Sequence, residues 1–146
     1  MIKVDIRIIK YQSEDYRQSL LLRDKILRRP LGLNLFQENL NKEINDIHIG
    51  VFYNMLIIGV LVLTPLSLHT VKMRQVAVEE EHQGKGFGTR MVAFAETVAK
   101  ELGYGRIVLH ARKTALSFYK RMDYKIIGEE FMEVTVPHFE MEKVIK

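Results

Sequence analysis

The amino-acid sequence predicts an α/β fold of the α+β type, with a mixed, mostly antiparallel sheet that carries helices on both faces. Segments with the period of a strand alternate with segments with the period of a helix, in the order β-α-α-β-β-β-α-β-α-β-β. Two of the strands flank a short turn at Asn54, which is typical of an antiparallel hairpin. No linker, repeat or low-complexity tract interrupts the 146 residues, so we expect a single domain over residues 1–146.

The first half of the chain is predicted to contain three strands and two helices. Alternating apolar residues predict a strand from Ile2 to Ile9. Ser13 can cap a helix from about Glu14 to Arg28, and Pro30 followed by Gly32 would end it. The other elements of this half are a short helix with a loop and the two hairpin strands, at Leu33–Asn45, Ile47–Tyr53 and Met55–Leu63.

The segment from Gln83 to Gly88, with the sequence Gln-Gly-Lys-Gly-Phe-Gly, lies between a predicted strand, Val71–Val78, and a predicted helix that Gly103 would end. Glycines at the start of a helix let backbone N–H groups approach a ligand closely, and the helix dipole favours an anion there. The segment is therefore a candidate phosphate-binding loop. A tight connection that merely needs flexible residues would look the same. Apolar residues at helical spacing follow it, at Met91, Val92, Phe94, Ala95, Val98, Ala99 and Leu102.

The remaining elements are strands at Arg106–His110 and Lys125–Ile127, a helix at Thr114–Met122, and a final strand from about Phe131 to Met141. A terminal strand commonly lies at or near the edge of a sheet, where unpaired backbone groups are usually covered. We therefore expect a twofold homodimer. Charged side chains would instead blunt the edge and keep a monomer, and the candidates are Lys125, Glu129, Glu130 and Glu133.

Two well-known phosphate loops do not fit the glycine segment. A P-loop ends in Gly-Lys-Ser/Thr, but Gly84-Lys85 is followed by Gly86, so no hydroxyl is present to hold magnesium. A dinucleotide-binding fold needs an acidic residue about twenty positions further on. The strand Arg106–His110 ends without that carboxylate.

The glycine segment resembles the acyl-CoA loop of the GCN5-related N-acetyltransferases (GNAT), whose motif is Gln/Arg-x-x-Gly-x-Gly/Ala. Gln83, Gly86 and Gly88 match this motif. Ala115–Tyr124 is similar to the later helix of the family and its Phe-Tyr pair, although it ends Asp-Tyr where Gly-Phe is usual. Arg112 stands where the family often has asparagine. The segment Val136–Met141 resembles the ElaA- and YjcF-like branch, as do the early segments Leu22-Arg23 and Arg29-Pro30-Leu31-Gly32.

This resemblance implies a GNAT fold with a splayed central strand pair and an acyltransferase that moves the acetyl group of acetyl-CoA to a primary amine. The loop amides would bind the pyrophosphate, with Lys85 and Arg90 near other phosphate oxygens, and the strand before the loop would pair with the pantetheine arm. The cofactor-binding residues so implied are Val76, Val78, Gln83, Gly84, Lys85, Gly86, Phe87, Gly88 and Thr89.

Tyr119 is the candidate catalytic residue. Direct transfer releases a thiolate, which benefits from a proton donor or a hydrogen bond near sulfur. In the family the tyrosine after phenylalanine often supplies it, and Phe118-Tyr119 fits this pattern. The alternative is a core tyrosine whose hydroxyl bonds to a backbone carbonyl.

The general base is not assigned by the sequence. Many relatives carry a glutamate on the strand before the loop, but no carboxylate lies between Ser67 and Val78. Four side chains near the predicted cleft remain candidates, and each is equally typical of a structural or solvated position. They are His69, Glu79, His110 and His138.

Composition narrows the class of partner. The chain has no cysteine, which excludes disulfides and thiolate chemistry, and the simplest compartment is a reducing cytoplasm. No signal peptide is expected, and the longest apolar run, Met55–Leu63, is too short to cross a bilayer. The net charge of +4 is scattered, so no nucleic acid is expected, and the five histidines lack zinc-ligand spacing, so no metal is expected.

The sequence leaves alternatives open both for the acceptor and for the activity itself. A non-catalytic acyl-CoA sensor or partner-binding module would retain the loop without needing Tyr119. The acceptor would be a small-molecule or peptide amine. Arg23, Arg28 and Arg29 could attract an acidic acceptor, although exposed arginines usually only face solvent.

Overall fold

A computed structural model describes residues 3–145, so the predicted start of the first strand at Ile2 lies outside the described residues. Within this range, none of the helices combines the length and the apolar character that would let it cross a membrane. The sheet contains eight strands: Val4–Ile9 (β1), Ile47–Tyr53 (β2), Leu56–Pro65 (β3), Thr70–Val78 (β4), Arg106–Arg112 (β5), Lys125–Ile126 (β6), Phe131–Glu133 (β7) and Val136–Val144 (β8). The α-helices are Glu14–Arg23 (α1), Phe87–Glu101 (α2) and Leu116–Arg121 (α3).

The first predicted helix forms over its whole length, but its last part is irregular. Ser13 accepts the backbone N–H of Tyr16 at 3.1 Å and so caps α1. After Arg23 the chain continues as a π-helical turn, Asp24–Arg28, and a 3-10 turn that Gly32 ends with a φ of 74°. Two separate 3-10 turns, Leu35–Gln37 and Leu40–Glu43, replace the single short helix expected from Leu33 to Asn45.

The strands follow the order β1-β2-β3-β4-β5-β8-β6, and β7 pairs with β8. Every neighbouring pair is antiparallel except β4 and β5, which run parallel. The mixed, mostly antiparallel sheet is therefore confirmed. Asn54 and Met55 form the predicted hairpin turn, with φ angles of 50° and 72°.

The final predicted strand, Phe131–Met141, is wrong in one respect, because it is a hairpin of two strands. Val134 and Thr135 turn the chain between β7 and β8 with φ angles of 44° and 67°. Neither residue is one that commonly signals a turn, which is why the pattern looked continuous. The expected position at or near the sheet edge is confirmed, since β8 lies one strand in from the edge, between β5 and β6, and in the described sheet β7 pairs only with β8.

Helices cover both faces of the sheet. On β3, Leu61 and Leu63 pack in the cluster that contains Met91 of α2, whereas Val60 packs with Leu22 of α1 on the opposite face. This division follows from the alternation of side chains along a strand. Gly103, with a φ of 93°, follows the last turn of α2 as predicted.

Candidate active site

The two parallel strands β4 and β5 diverge in the middle of the sheet. Their pairing runs from Thr70 opposite Arg106 to Met73 opposite Leu109, yet both strands continue beyond it. Gln75 has a φ of 57°, and the register of β4 against β3 shifts next to it. A cavity of about 410 Å³ opens where the strands separate. The splayed central pair is therefore present, and it leaves one side of β4 available to a ligand.

The glycine segment forms the turn that leads into α2. Gly84 and Gly86 have φ angles of 77° and 86°, and Gly86 is the N-cap of the helix. A Cβ built on either residue would meet no heavy atom within 4 Å, so the space beside the backbone is open. The first N–H groups of a helix have no partner within it. The amides that follow Gly86 are therefore available to an anion, as in other helix N-termini that bind phosphate.

The other residues of the loop divide between structure and surface. The side chain of Gln83 donates to the carbonyl of Val78 at 2.9 Å and so ties the loop to the end of β4. Phe87 is buried with its ring against Tyr53, so only its backbone can face a ligand. A Cβ on Gly88 would make ordinary contact with Phe118 at 3.5 Å. Lys85, Thr89 and Arg90 are exposed beside the loop.

Tyr119 lies on α3 and lines the cavity. Its side chain is buried, with the ring between Phe118 and Tyr124 at centroid distances of 5.0 and 5.8 Å. Among residues 3–145 its hydroxyl has no hydrogen-bond partner, unlike the core tyrosine of the alternative interpretation. Burial raises the pKa of Tyr119, which keeps the phenol protonated and able to donate.

Three side chains on β5, β7 and β8 form a cluster that lines the same cavity. Nδ1–H of His110 donates to Oε1 of Glu133 at 3.0 Å, because a carboxylate can only accept. Nε2 of His138 lies 3.7 Å from Oε2 of the same carboxylate. Burial acts to raise the pKa of Glu133, but the hydrogen bond and charge of His110 outweigh it, so the pKa lies below its ordinary value. In neutral His110, the lone pair on Nε2 can then accept a proton, with Oε2 of Glu140 3.9 Å away.

The structure separates the other candidate bases from this cavity. His69 is exposed in the turn between β3 and β4, where its carbonyl accepts the N–H groups of Gly105 and Arg106. Glu79 forms an ion pair with Lys25. Neither residue lines the cavity, whereas His110 and His138 do.

The three arginines near the first helix differ in exposure. Arg23 is fully buried and Arg28 is 7% exposed, so for these two the solvent-facing interpretation is wrong. Arg29 is exposed and pairs with Asp24 at 3.4 Å. Arg28 and Arg112 both line the cavity. In the described part of the chain, no group of three or more histidine or acidic side chains is arranged to hold a metal ion.

A family model described as the acetyltransferase (GNAT) domain matches residues 29–145. The chain belongs to the GNAT acetyltransferase family. The predicted membership of the GNAT family is thereby confirmed, and YjcF and ElaA are among the proteins that the chain resembles.

Two relatives of this GNAT chain come from Bacillus subtilis (strain 168). It is 34% identical to the uncharacterized protein YyaT over 77 residues, which are 53% of this chain and 52% of YyaT. It is 30% identical to the uncharacterized N-acetyltransferase YjcF over 73 residues, which are 49% of this chain and 52% of YjcF. The chain thus spans about half the length of these curated relatives.

Solved structures show the same fold over nearly the whole GNAT chain. A putative N-acetyltransferase from Lactobacillus plantarum superposes with a TM-score of 0.84 at 20% identity, covering 99% of both chains. Escherichia coli ElaA superposes with a TM-score of 0.80 at 17% identity, covering 97% of this chain and 99% of ElaA. An aminoglycoside 6'-N-acetyltransferase solved with coenzyme A gives 0.80 at 17% identity, covering 97% of both chains.

The sequence does not mark Glu133 as a candidate functional residue, because by its pattern it is only one of several charges near a predicted sheet edge. The hairpin turn at Val134–Thr135 brings Glu133 beside His110, and no turn residue announced it. Lys72, which lines the same cavity, is not marked either. Its place opposite Val108 in the parallel pair puts it on the same face as His110, which only the register could have shown.

Proposed function

We propose that this protein transfers the acetyl group of acetyl-CoA directly to a primary amine of a small molecule or peptide. The observation that carries the proposal is the cavity between the diverged strands, which has the unpartnered hydroxyl of Tyr119 on one wall and the His110–Glu133 pair on another. An acid and a base at separate points of one cavity are what acyl transfer from a thioester to an ammonium group requires.

Acetyl-CoA would bind along β4 and the glycine loop. The amides from Gly84 to Gly88 would hold the pyrophosphate at the start of α2, and Lys85 and Thr89 lie on the exposed side of the same turn. The backbone of Val76 and Val78 would pair with the amide-containing arm as an added strand. Gln83 supports this site indirectly, since its side chain fixes the carbonyl of Val78.

In the reaction, Nε2 of His110 accepts a proton from the ammonium group of the acceptor, while Glu133 stabilises the imidazolium that forms. The amine nitrogen attacks the thioester carbon and the C–N bond forms. The nitrogen then releases its second proton to solvent as the C–S bond breaks. The phenol of Tyr119 donates a hydrogen bond to the departing sulfur. Because the pKa of Tyr119 is raised above that of a thiol, this hydrogen bond is favoured over complete proton transfer, and solvent supplies the final proton.

A non-catalytic acyl-CoA sensor on the same fold would need the loop but neither Tyr119 nor the His110–Glu133 pair. One experiment separates the two functions. We expect the wild type to release free thiol from acetyl-CoA with at least one member of a panel of amino acids, polyamines, aminoglycosides and peptides. We also expect Tyr119→Phe to lower kcat by about 10²–10³-fold, the usual loss for a donor to a developing negative charge.

Calorimetry with coenzyme A supplies the matched controls. Gly86→Val should bind far more weakly, because a β-branched residue is strained at a φ of 86° and would obstruct the backbone. Gly88→Ala should bind normally, because its Cβ makes only ordinary contact with Phe118. Binding that is intact in folded Gly86→Val would contradict the loop assignment. Binding without turnover of any amine would favour the sensor.

We further propose one GNAT domain over residues 1–146, working in the cytoplasm as a homodimer. The support for the dimer is β7, which pairs only with β8 and so has one free edge in the described sheet, with Met132 66% exposed on it. Light scattering at micromolar concentration tests it, since a fully active species at the monomer mass of 17.1 kDa would exclude the dimer.

A further inference from the structure

Two guanidinium groups meet on one wall of the cavity. Nη1 of Arg28 and Nη2 of Arg112 both donate to the carbonyl oxygen of Leu27, at 3.2 and 3.0 Å. Arg28 comes from the irregular end of the first helix, and Arg112 from the end of β5. Two positive charges that share one acceptor atom are necessarily close, and like charges repel.

The two arginines are incompletely compensated. Nε of Arg28 pairs with Oε2 of Glu38 at 2.7 Å, and the side chain of Glu38 is 44% exposed. Arg112 has no carboxylate within ion-pair distance among residues 3–145. Burial, followed by the charge of Arg28, lowers the pKa of Arg112. A partly buried cation with a cation for a neighbour is stabilised by any anion that reaches it.

The whole cavity has a surplus of positive charge. Among residues 3–145, four cationic side chains line it, against one lining carboxylate, that of Glu133, with Glu140 3.9 Å from His110. The four cations are Arg28, Lys72, Arg74 and Arg112. Arg74 is already compensated by Glu43 and Asp46, at 3.7 and 3.5 Å. The residues that line the cavity do not include those of the glycine loop. Phosphates bound at the loop would therefore leave the arginine pair without its anion.

We propose that Arg28 and Arg112 bind a carboxylate of the acceptor, so that the acceptor is an amino acid or a peptide end that carries both an amine and a carboxylate. This inference rests on the proposed function and names its substrate class. Arginine presents planar, paired donors that match a carboxylate. The amine of the same molecule would lie toward His110 and Glu133, whose negative charge attracts an ammonium group.

The same charge surplus disfavours polycationic acceptors. A polyamine or an aminoglycoside would bring further positive charges beside Arg28, Arg112 and Lys72, each of them partly buried. Burial, rather than a neighbouring charge, is the main cause that lowers the pKa of Lys72, so a further positive charge at this wall would add repulsion to a cation that is already partly desolvated. A zwitterion adds no net charge to the cavity. Its carboxylate would lie against the two arginines and its ammonium group near Glu133.

The test uses matched pairs of acceptors that differ only in the carboxylate, such as L-phenylalanine with 2-phenylethylamine and L-leucine with isoamylamine. With acetyl-CoA as donor, we expect the wild type to show a kcat/KM about 10- to 100-fold higher for the carboxylate member of at least one pair, the worth of a hydrogen-bonded charge pair. Arg112→Met should remove this preference, mainly through KM, and leave the rate with the plain amine within about twofold.

Arg29→Met is the matched control, because it removes one positive charge next to Arg28, at an exposed residue that does not line the cavity. It should keep the preference. Equal kcat/KM for both members of every pair in the wild type would overturn the proposal. A loss of kcat/KM in Arg112→Met that is equal for both members of a pair would also overturn it. A weakened affinity of that variant for coenzyme A would do the same, since the two arginines would then bind the cofactor.

Two further arms separate the remaining outcomes. Succinyl-CoA with a plain amine places the carboxylate on the acyl group. A loss of kcat/KM in Arg112→Met that is confined to that donor would assign the anion to the donor and overturn the proposal.

If no amine is acetylated, the proposed function fails, but the subsite is still tested by calorimetry with coenzyme A present. N-acetyl-L-phenylalanine should then bind more tightly than N-(2-phenylethyl)acetamide, with the difference lost in Arg112→Met. Equal affinities would overturn the subsite as well.

Discussion

Arg23 and Arg28 belong to the same helical segment and are both buried, yet they meet opposite surroundings. Nη1 and Nη2 of Arg23 donate to the two carboxylate oxygens of Glu43, at 2.8 and 2.6 Å, and Nε donates to Gln75 at 3.1 Å. Arg28 meets the half-exposed Glu38 and a second guanidinium. Burial of an arginine therefore does not distinguish a structural ion pair from a ligand site. The presence of a fixed, buried carboxylate does.

Glu43 completes the compensated cluster. Its carboxylate also accepts the hydroxyl of Tyr16 at 2.9 Å, and it is 3% exposed. Burial acts to raise the pKa of Glu43, but the hydrogen bond and charge of Arg23 outweigh it, so the pKa lies below its ordinary value. The cluster joins α1, the turn Leu40–Glu43 and, through Gln75, the bulge at which β4 leaves β5. Arg23 is thus a structural support of the cavity, whereas Arg28 and Arg112 form its wall.

The largest effect on stability is expected when the ion pair of Arg23 and Glu43 is broken. Arg23→Met leaves the buried carboxylate of Glu43 without its partner, and we expect a loss of about 3–5 kcal/mol in the free energy of unfolding. Urea denaturation measures it. Arg23→Met combined with Glu43→Leu should recover part of the loss, because an apolar pair no longer carries a buried charge, although Tyr16 then lacks an acceptor. A single variant as stable as the wild type would show that Glu43 finds compensation elsewhere.

Lowering the pH should weaken the same cluster, and we expect a loss in the free energy of unfolding that is smaller than that of Arg23→Met. Because the pKa of Glu43 is lower in the folded protein than in the unfolded chain, its contribution is fully present above the unfolded value, near 4.5, and is lost as the pH falls through the folded value. Each unit of difference is worth about 1.4 kcal/mol. We expect unfolding free energies measured from pH 7 to pH 3 to fall less steeply in Glu43→Gln than in the wild type. Parallel curves would contradict the lowered pKa.

The smallest effect on the free energy of unfolding, and one of opposite sign, is expected at the uncompensated pair of Arg28 and Arg112. Arg112→Met removes a partly buried charge that repels Arg28 and loses one hydrogen bond to Leu27. These two changes oppose each other, so we expect the free energy of unfolding to stay level or rise by less than about 1 kcal/mol. The urea midpoint at pH 7 measures it, with Arg29→Met as the reference for an exposed charge. A loss above about 2 kcal/mol would make Arg112 a structural residue like Arg23.

The sequence predicted most of the fold because its elements are marked locally. The helix α2 has apolar residues at helical spacing and glycines at both ends, and β2 with β3 has Asn54 at the turn. The glycine loop was likewise recognisable from Gln83 to Gly88, since a glycine pattern is contiguous. Its role in binding stays a prediction, as does the role of Tyr119.

The contacts of Arg112 and Glu133 could not be predicted from the sequence, because the residues that they join are distant along the chain. The hydrogen bond from Arg112 to Leu27 joins residues 85 positions apart. Glu133 reaches His110 only because Val134 and Thr135, two β-branched residues, adopt φ angles that such residues rarely adopt. Neither contact has a periodic pattern or a motif, so only the register of the strands reveals it.

The position of β8 between β5 and the last two strands of the sheet has a consequence for biosynthesis. β8 is the partner of β6, of β7 and of one side of β5, so these strands cannot complete their pairing on the ribosome until β8 has been translated. The nascent chain can assemble β1 to β4 progressively by neighbour pairing, but it must carry the free edge of β5 in the meantime. The cavity wall that contains Glu133 and His138 is consequently the last part of the enzyme to form. Ribosome-stalled chains that end before β8 should therefore be prone to aggregation.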